Sequence, residues 1–244
     1  MNASCGELIA SVQKDGWSYA VDAATGSCNW QFPPISPPIT DPPACKWTGY
    51  SKFDSSGMSH DPNAYRAPGA AWNDAFIVRT GGENLVPDGP MKGYARLHAL
   101  NACATTEKER VRWISVVPHS SGNQTSLSAP SVAGGIVFVA TDQGHLVVLA
   151  DPSIVPPVEH VCSNPDYSLL APPGDRSLCV LTGFVGVPVP QVLNDIALPD
   201  SGNIAYLRKE PAIAYGAVFV GTTYFATGVL GTNVPAGHVY KLAP

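Results

Sequence analysis

A two-strand unit that recurs along the chain constrains the fold more than any other feature. Residues 6–16 (GELIASVQKDG) superpose without gaps on residues 134–144 (GGIVFVATDQG), each a β-rich run closed by a glycine turn. The strand after the turn keeps the same register in residues 17–22 (WSYAVD) and 145–150 (HLVVLA), with further copies at 96–101 (RLHALN) and 238–243 (HVYKLA). The strand before the turn returns as the apolar runs 76–78, 137–139 and 218–220, and Pro130 and Pro211 stand in matching places upstream of two of them. A strand, a hairpin and a further strand, repeated with insertions of variable length, predict the four-stranded antiparallel blade of an all-β propeller. The repeats place blade 1 at about 6–32, blade 2 at about 67–115, blade 3 at about 128–208 and blade 4 at about 209–244, in a single domain over 1–244.

Composition agrees. Hydrophobic residues make up 45% of the 244 and charged residues 14%, enough apolar content for a packed core and too little charge for a disordered chain. With 23 glycines and 24 prolines, turns are favoured and helix interiors are not. The 14 basic residues are scattered and the net charge is −5, so no stripe exists to neutralise a nucleic-acid backbone. No apolar run is long enough for a transmembrane helix. The first seven residues lack the basic and apolar regions of a secretion signal, so a signal is expected either to have been removed or to lie upstream in a longer gene.

Three insertions separate the repeats, at 33–66, about 80–92 and 152–203, the first and last rich in proline. Such segments form ordered loops or extended spacers, and long loops on a rigid scaffold are where binding groups gather. By this count the first blade begins at its second strand and the last ends at its third. That is about three and a half blades: either a piece of a larger propeller or a ring completed by another chain, with open strand edges that promote association.

The six cysteines, at 5, 28, 45, 103, 162 and 179, have neither CxxC nor tight Cys/His spacing, which argues against structural zinc and haem attachment. Their even number suits disulfides and an extracytoplasmic compartment; unpaired buried thiols are the alternative. Extending the hairpin of 7–13 with 17–23 brings Cys5 near 26–28 and predicts Cys5–Cys28. Cys162–Cys179 would close the last insertion, leaving Cys45–Cys103.

The run Ala20-Val-Asp22-Ala-Ala-Thr25-Gly26-Ser-Cys-Asn-Trp30 resembles the blade signature of the pyrroloquinoline-quinone (PQQ) quinoprotein family, Ala-x-Asp-x-x-Thr-Gly-x-x-x-Trp. The resemblance implies that Gly26 and Trp30 lock one blade against the next, with Ala20, Asp22 and Thr25 completing the motif. Blade 2 carries Asn101 in the aspartate place and Trp113 as its locking candidate, while blades 3 and 4 carry Ala150 and Ala243 and no tryptophan at the right distance.

The sequence has no GxSxG, P-loop, GxGxxG after a strand or HExxH. His98, His145 and His238 fall in or beside repeat strands and are expected to be structural. His60 and Asp61, within the 33–66 insertion, are expected to be no more than a surface pair. Residues 80–85 (TGGENL) are similar to a Gly-Asp-Asn-Leu stretch of PQQ-dependent alcohol dehydrogenases. That likeness implies Glu83 as the base and Asn84 as a cofactor-side donor, with PQQ and calcium as cofactors; the alternative is a tight turn with an exposed Glu83. The metal ligands cannot be assigned from sequence. Two function classes follow: an extracytoplasmic, non-catalytic binding or scaffold propeller taking a protein or small ligand on its face, or part of a PQQ- and calcium-dependent dehydrogenase of alcohols or sugars.

Overall fold

Two-residue turns open each repeat and set its register. In the computed structural model, which describes residues 1–12, 18–32, 69–80, 96–105, 107–119, 127–157, 159–160, 187–199, 205–206, 210–224 and 238–243, blade 1 runs β1 (Asn2–Ala3), β2 (Gly6–Val12), β3 (Ser18–Asp22) and β4 (Cys28–Phe32). Blade 2 follows as β5 (Ala70–Trp72), β6 (Ala75–Thr80), β7 (Arg96–Asn101) and β8 (Val111–Val116). A single helical turn, α1 (Glu107–Arg110), precedes β8 and was not expected.

Blade 3 has β9 (Ser131–Ala133), β10 (Ile136–Ala140) and β11 (His145–Ala150), then a short pair, β12 (Glu159–His160) and β13 (Pro188–Val189), before its outer strand β14 (Gln191–Ala197). After β15 (Ala205–Tyr206), blade 4 shows β16 (Ala212–Ala214), β17 (Ala217–Gly221) and β19 (Val239–Leu242), while β18 (Thr223–Tyr224) pairs with β15. The described residues thus form three four-stranded sheets and one three-stranded sheet, all antiparallel, with two two-stranded pairs beside them.

The first turns explain the local chemistry. Asn73 and Asp74 (φ 45° and 60°), Gly134 and Gly135 (55° and 80°), and Tyr215 and Gly216 (52° and 69°) all have positive φ at both central positions. This is the turn type whose twist matches a two-residue hairpin, and Asn, Asp and Gly adopt it at least cost. In blade 1, Gly26 (φ 69°) supplies the left-handed residue of the third turn, its N–H donating to the Asp22 carbonyl at 2.8 Å.

Consecutive blades stack face to face. Leu8, Ala20 and Trp30 pack with Phe76, Val78 and Ile114 across the first junction, and Ile77, Leu97 and Trp113 with Val137, Val147 and Leu149 across the second. Leu146, Val148 and Leu198 meet Val220 across the third. The innermost strands β5, β9 and β16 of blades 2, 3 and 4 adjoin, and the Ser131 hydroxyl donates to the Pro211 carbonyl between blades 3 and 4. Successive antiparallel meanders stacked in this way are the blades of a β-propeller.

Three expectations are corrected. Blade 1 does have its first strand, the two-residue β1, too short to register as a period. The insertion placed at 152–203 ends sooner, because residues 191–197 return to pair with β11 as the outer strand of blade 3. Part of that insertion is also structural: β13 lies against β8, and Val187 and Val189 join the core of the first junction.

The third correction concerns the cysteines. Cys5 is bonded to Cys103, with Cα atoms 5.5 Å apart, so neither Cys5–Cys28 nor Cys45–Cys103 forms. The chain turns after Asp22 into β4, which lies on the far side of β3 from β2; Cys28 pairs with Val21 there, one strand removed from Cys5. Cys5, at the tip of the first turn, instead meets the turn after β7. The disulfide ties blade 1 to blade 2, and the Ser4 N–H reinforces it by donating to Asp74 at 2.6 Å. Cys28 is also disulfide-bonded. Cys45, Cys162 and Cys179 lie outside the described residues.

Candidate functional site

Of the motif residues named from sequence, Ala20, Trp30 and Trp113 sit at the junctions, while Asp22, Thr25 and Gly26 form the turn between β3 and β4. Asp22 caps its own turn: one carboxylate oxygen accepts from the Ala24 N–H (3.0 Å), the Thr25 N–H (2.7 Å) and the Thr25 hydroxyl (2.8 Å). These bonds, the Thr25 hydroxyl foremost, hold the Asp22 carboxyl below its ordinary value. A carboxyl depressed in the folded state adds stability that is present above the ordinary aspartate range and lost as pH falls through its folded value. Asp22→Asn is therefore expected to unfold at lower urea than the parent at neutral pH. The gap should close in acid, and denaturant curves at both pH values check it. Asn101 caps the matching turn of blade 2 by accepting the Cys103 N–H at 3.0 Å. In blade 3 the cap moves on by one residue, to Asp151, which takes the Ser153 N–H and hydroxyl at 2.9 and 2.6 Å.

Trp30 is 3% exposed and faces Phe76 of the next blade, ring centroids 6.5 Å apart. The Arg110 guanidinium lies 5.0 Å from the Trp30 ring centroid, a cation–π contact, while donating to the carbonyls of Asn101 and Ala104. Trp113 is fully buried, and its indole N–H donates to Asp151 of blade 3 at 2.8 Å. Ala20 and Ala99 pair directly opposite these tryptophans, small enough to leave room for the rings. Glu83, Asn84, His60 and Asp61 lie outside the described residues.

A cluster not anticipated from sequence carries the most chemistry. His119, just past the end of β8, His145, the first residue of β11, and Asp195 of β14 converge where blades 2 and 3 meet. Asp195 lies within the β11–β14 ladder: His145 pairs with Ala197 and Val147 with Asp195, which puts His145 and Asp195 on one face as diagonal neighbours. One Asp195 oxygen is 2.7 Å from His145 Nδ1 and the other is 2.9 Å from His119 Nε2. The two imidazoles stack, centroids 3.9 Å apart and planes 10° from parallel. His119 adopts φ 54°, a left-handed conformation that few residues other than glycine take up. Exposure grades outward from the His145 side chain at 18% to the His119 side chain at 46%.

Each of the three side chains offers one ligand atom, and these atoms lie within 4.8 Å of one another. Two imidazole nitrogens and a carboxylate oxygen are a donor set for zinc and similar transition metals, and three protein ligands leave a position of a tetrahedral ion open. The same set does not fit calcium, which takes oxygen ligands. His145, expected to be structural, also faces Asp195 at 2.7 Å, whereas His98, at 1% exposure, is packed inside blade 2. The usable signal is that His145 and His238 share a place in the repeat, His145 as the first residue of β11 and His238 just before β19; the hydroxyls of Thr141 and Thr222 accept their backbone N–H groups at 3.2 Å.

No family model matches the chain, and no curated protein does. Among solved structures it is similar to BamB from Moraxella catarrhalis, at 12% identity and a TM-score of 0.32, covering 89% of this chain and 51% of that one. It is similar also to the quinohemoprotein alcohol dehydrogenase from Comamonas testosteroni, at 12% identity and a TM-score of 0.43, covering 98% of this chain and 38% of that one. The chain spans about half the length of the first and under two fifths of the second. The propeller assignment rests on the chain's own stacked blades.

Proposed function

We propose that the chain is a non-catalytic binding module of the cell envelope. It is a propeller scaffold with quinoprotein-like repeats that engages a protein or small-ligand partner on the face bearing His119, His145 and Asp195. The observation that carries this reading is the convergence of those three groups from two blades, with the outermost imidazole half-exposed. A transition-metal ion held there would have its open position turned outward, where a donor atom of the partner completes the coordination. The disulfides support an oxidising compartment, and no helix among the described residues is long and apolar enough to cross a membrane.

Calorimetric titration of the oxidised chain with zinc chloride tests the reading. One saturable site is expected, weakening in acid as the ligands take up protons. Loss of a residue that only orients a ligand costs about 10–100-fold in affinity. Removing a ligand, in His119→Ala, His145→Ala or Asp195→Asn, should cost at least as much. Absence of binding by a folded sample, or undiminished binding by all three variants, would overturn it.

A further inference from the structure

In each of the first three blades the pairing of third and fourth strands slips by one residue at the same point: after Ala20, after Ala99 and after Val148. The residues opposite those three are Trp30, Trp113 and Asn194. Asn194 therefore occupies the tryptophan position of blade 3, an equivalence hidden in the sequence by the long segment between β11 and β14. At the first two junctions an indole fills the space toward the next blade. At the third, among the described residues, a cleft of about 340 Å³ remains, bounded by Leu146, Val148 and Ile196 of blade 3 and Val218 and Leu242 of blade 4, with Asn194 in its wall. The Asn194 side-chain Oδ1 accepts the Asp195 backbone N–H at 2.9 Å, which ties the amide back to its own strand.

We propose that this cleft is a binding site for a flat aromatic small molecule of one or two rings, which takes the place that an indole side chain fills at the other two junctions. Its volume is within the range of about 300–1,000 Å³ usual for small-molecule pockets, and apolar walls with one amide at the edge suit such a ligand. A planar ring makes dispersion contacts with both blades that water cannot replace. The site goes beyond the metal cluster and does not depend on it. Side chains alternate across β14, so Asn194 points toward blade 4 and Asp195 toward blade 2.

Indole is the probe. Titrated calorimetrically into the full oxidised chain with a chelator present, it is expected to bind saturably at one site and to raise the thermal midpoint. Asn194→Trp should fill the cleft from within, melt higher than the parent without ligand, and lose affinity for indole by more than about tenfold, a change of 1.4 kcal/mol. Should that variant not fold, Asn194→Phe places a smaller ring in the same space and the same loss is expected. A folded parent that does not bind indole overturns the proposal, as does a folded filled variant that binds it undiminished.

Discussion

Trp113→Ala is expected to destabilise the chain by about 3–5 kcal/mol, the cost of deleting a large buried aromatic side chain. The ring is fully buried among residues of two blades, so its loss opens a void that packed strands on both sides cannot easily collapse. A second penalty follows, because Asp151, itself fully buried, loses the indole N–H at 2.8 Å. Leaving a buried acceptor short of a donor costs about 1–3 kcal/mol, more if it is charged. Trp113→Phe keeps much of the packing while removing the donor and part of the ring, and should fall between parent and alanine. Urea unfolding under oxidising conditions measures all three. A Trp113→Ala midpoint equal to that of the parent would mean that the second junction is not held by this residue.

Removing the Cys5–Cys103 bridge, by Cys5→Ser with Cys103→Ser, is expected to cost about 2–5 kcal/mol. The two cysteines are 98 residues apart, so the bond closes a long loop, and the chain-entropy model assigns a loop of about this size roughly 4.7 kcal/mol. The release acts largely on the unfolded ensemble, which becomes more expanded. The denaturant slope should therefore rise while the midpoint falls. Peptide mapping without reductant checks the connectivity directly, since one linked fragment should contain both residues. A double variant with unchanged midpoint and slope would show that the blades hold together without it.

What could be read from the sequence was what is local and repeated. The hairpins of residues 6–22 and 134–150 align without gaps because strand length, turn and register are all short-range properties, and they fixed the blade. The motif around Asp22 and Trp30 was legible for the same reason. What escaped depended on chain segments meeting from afar. β14 carries Asn194 where blades 1 and 2 carry tryptophan, and it is reached only after a long excursion, so no repeat signal marked it. Cys5 was expected beside Cys28 by extrapolating one hairpin past the point where the chain turns away. Asp195 is 50 residues from His145, and only the closing of the blade 3 sheet brings them together.

The three joints of the stack are unequal. The first has a covalent clasp as well as Trp30 and Arg110; the second has Trp113 anchored on a buried carboxylate; the third, among the described residues, has neither and leaves a cleft. A row of hinges graded from tight to loose gives the molecule a direction. Under heat, denaturant or a pulling force, blades 3 and 4 should part first and blades 1 and 2 last, so that failure starts at the loosest joint. The amides of β17 and β19 would then exchange with solvent well before those of β6 and β7, and filling the hollow joint would shift the weakest point elsewhere.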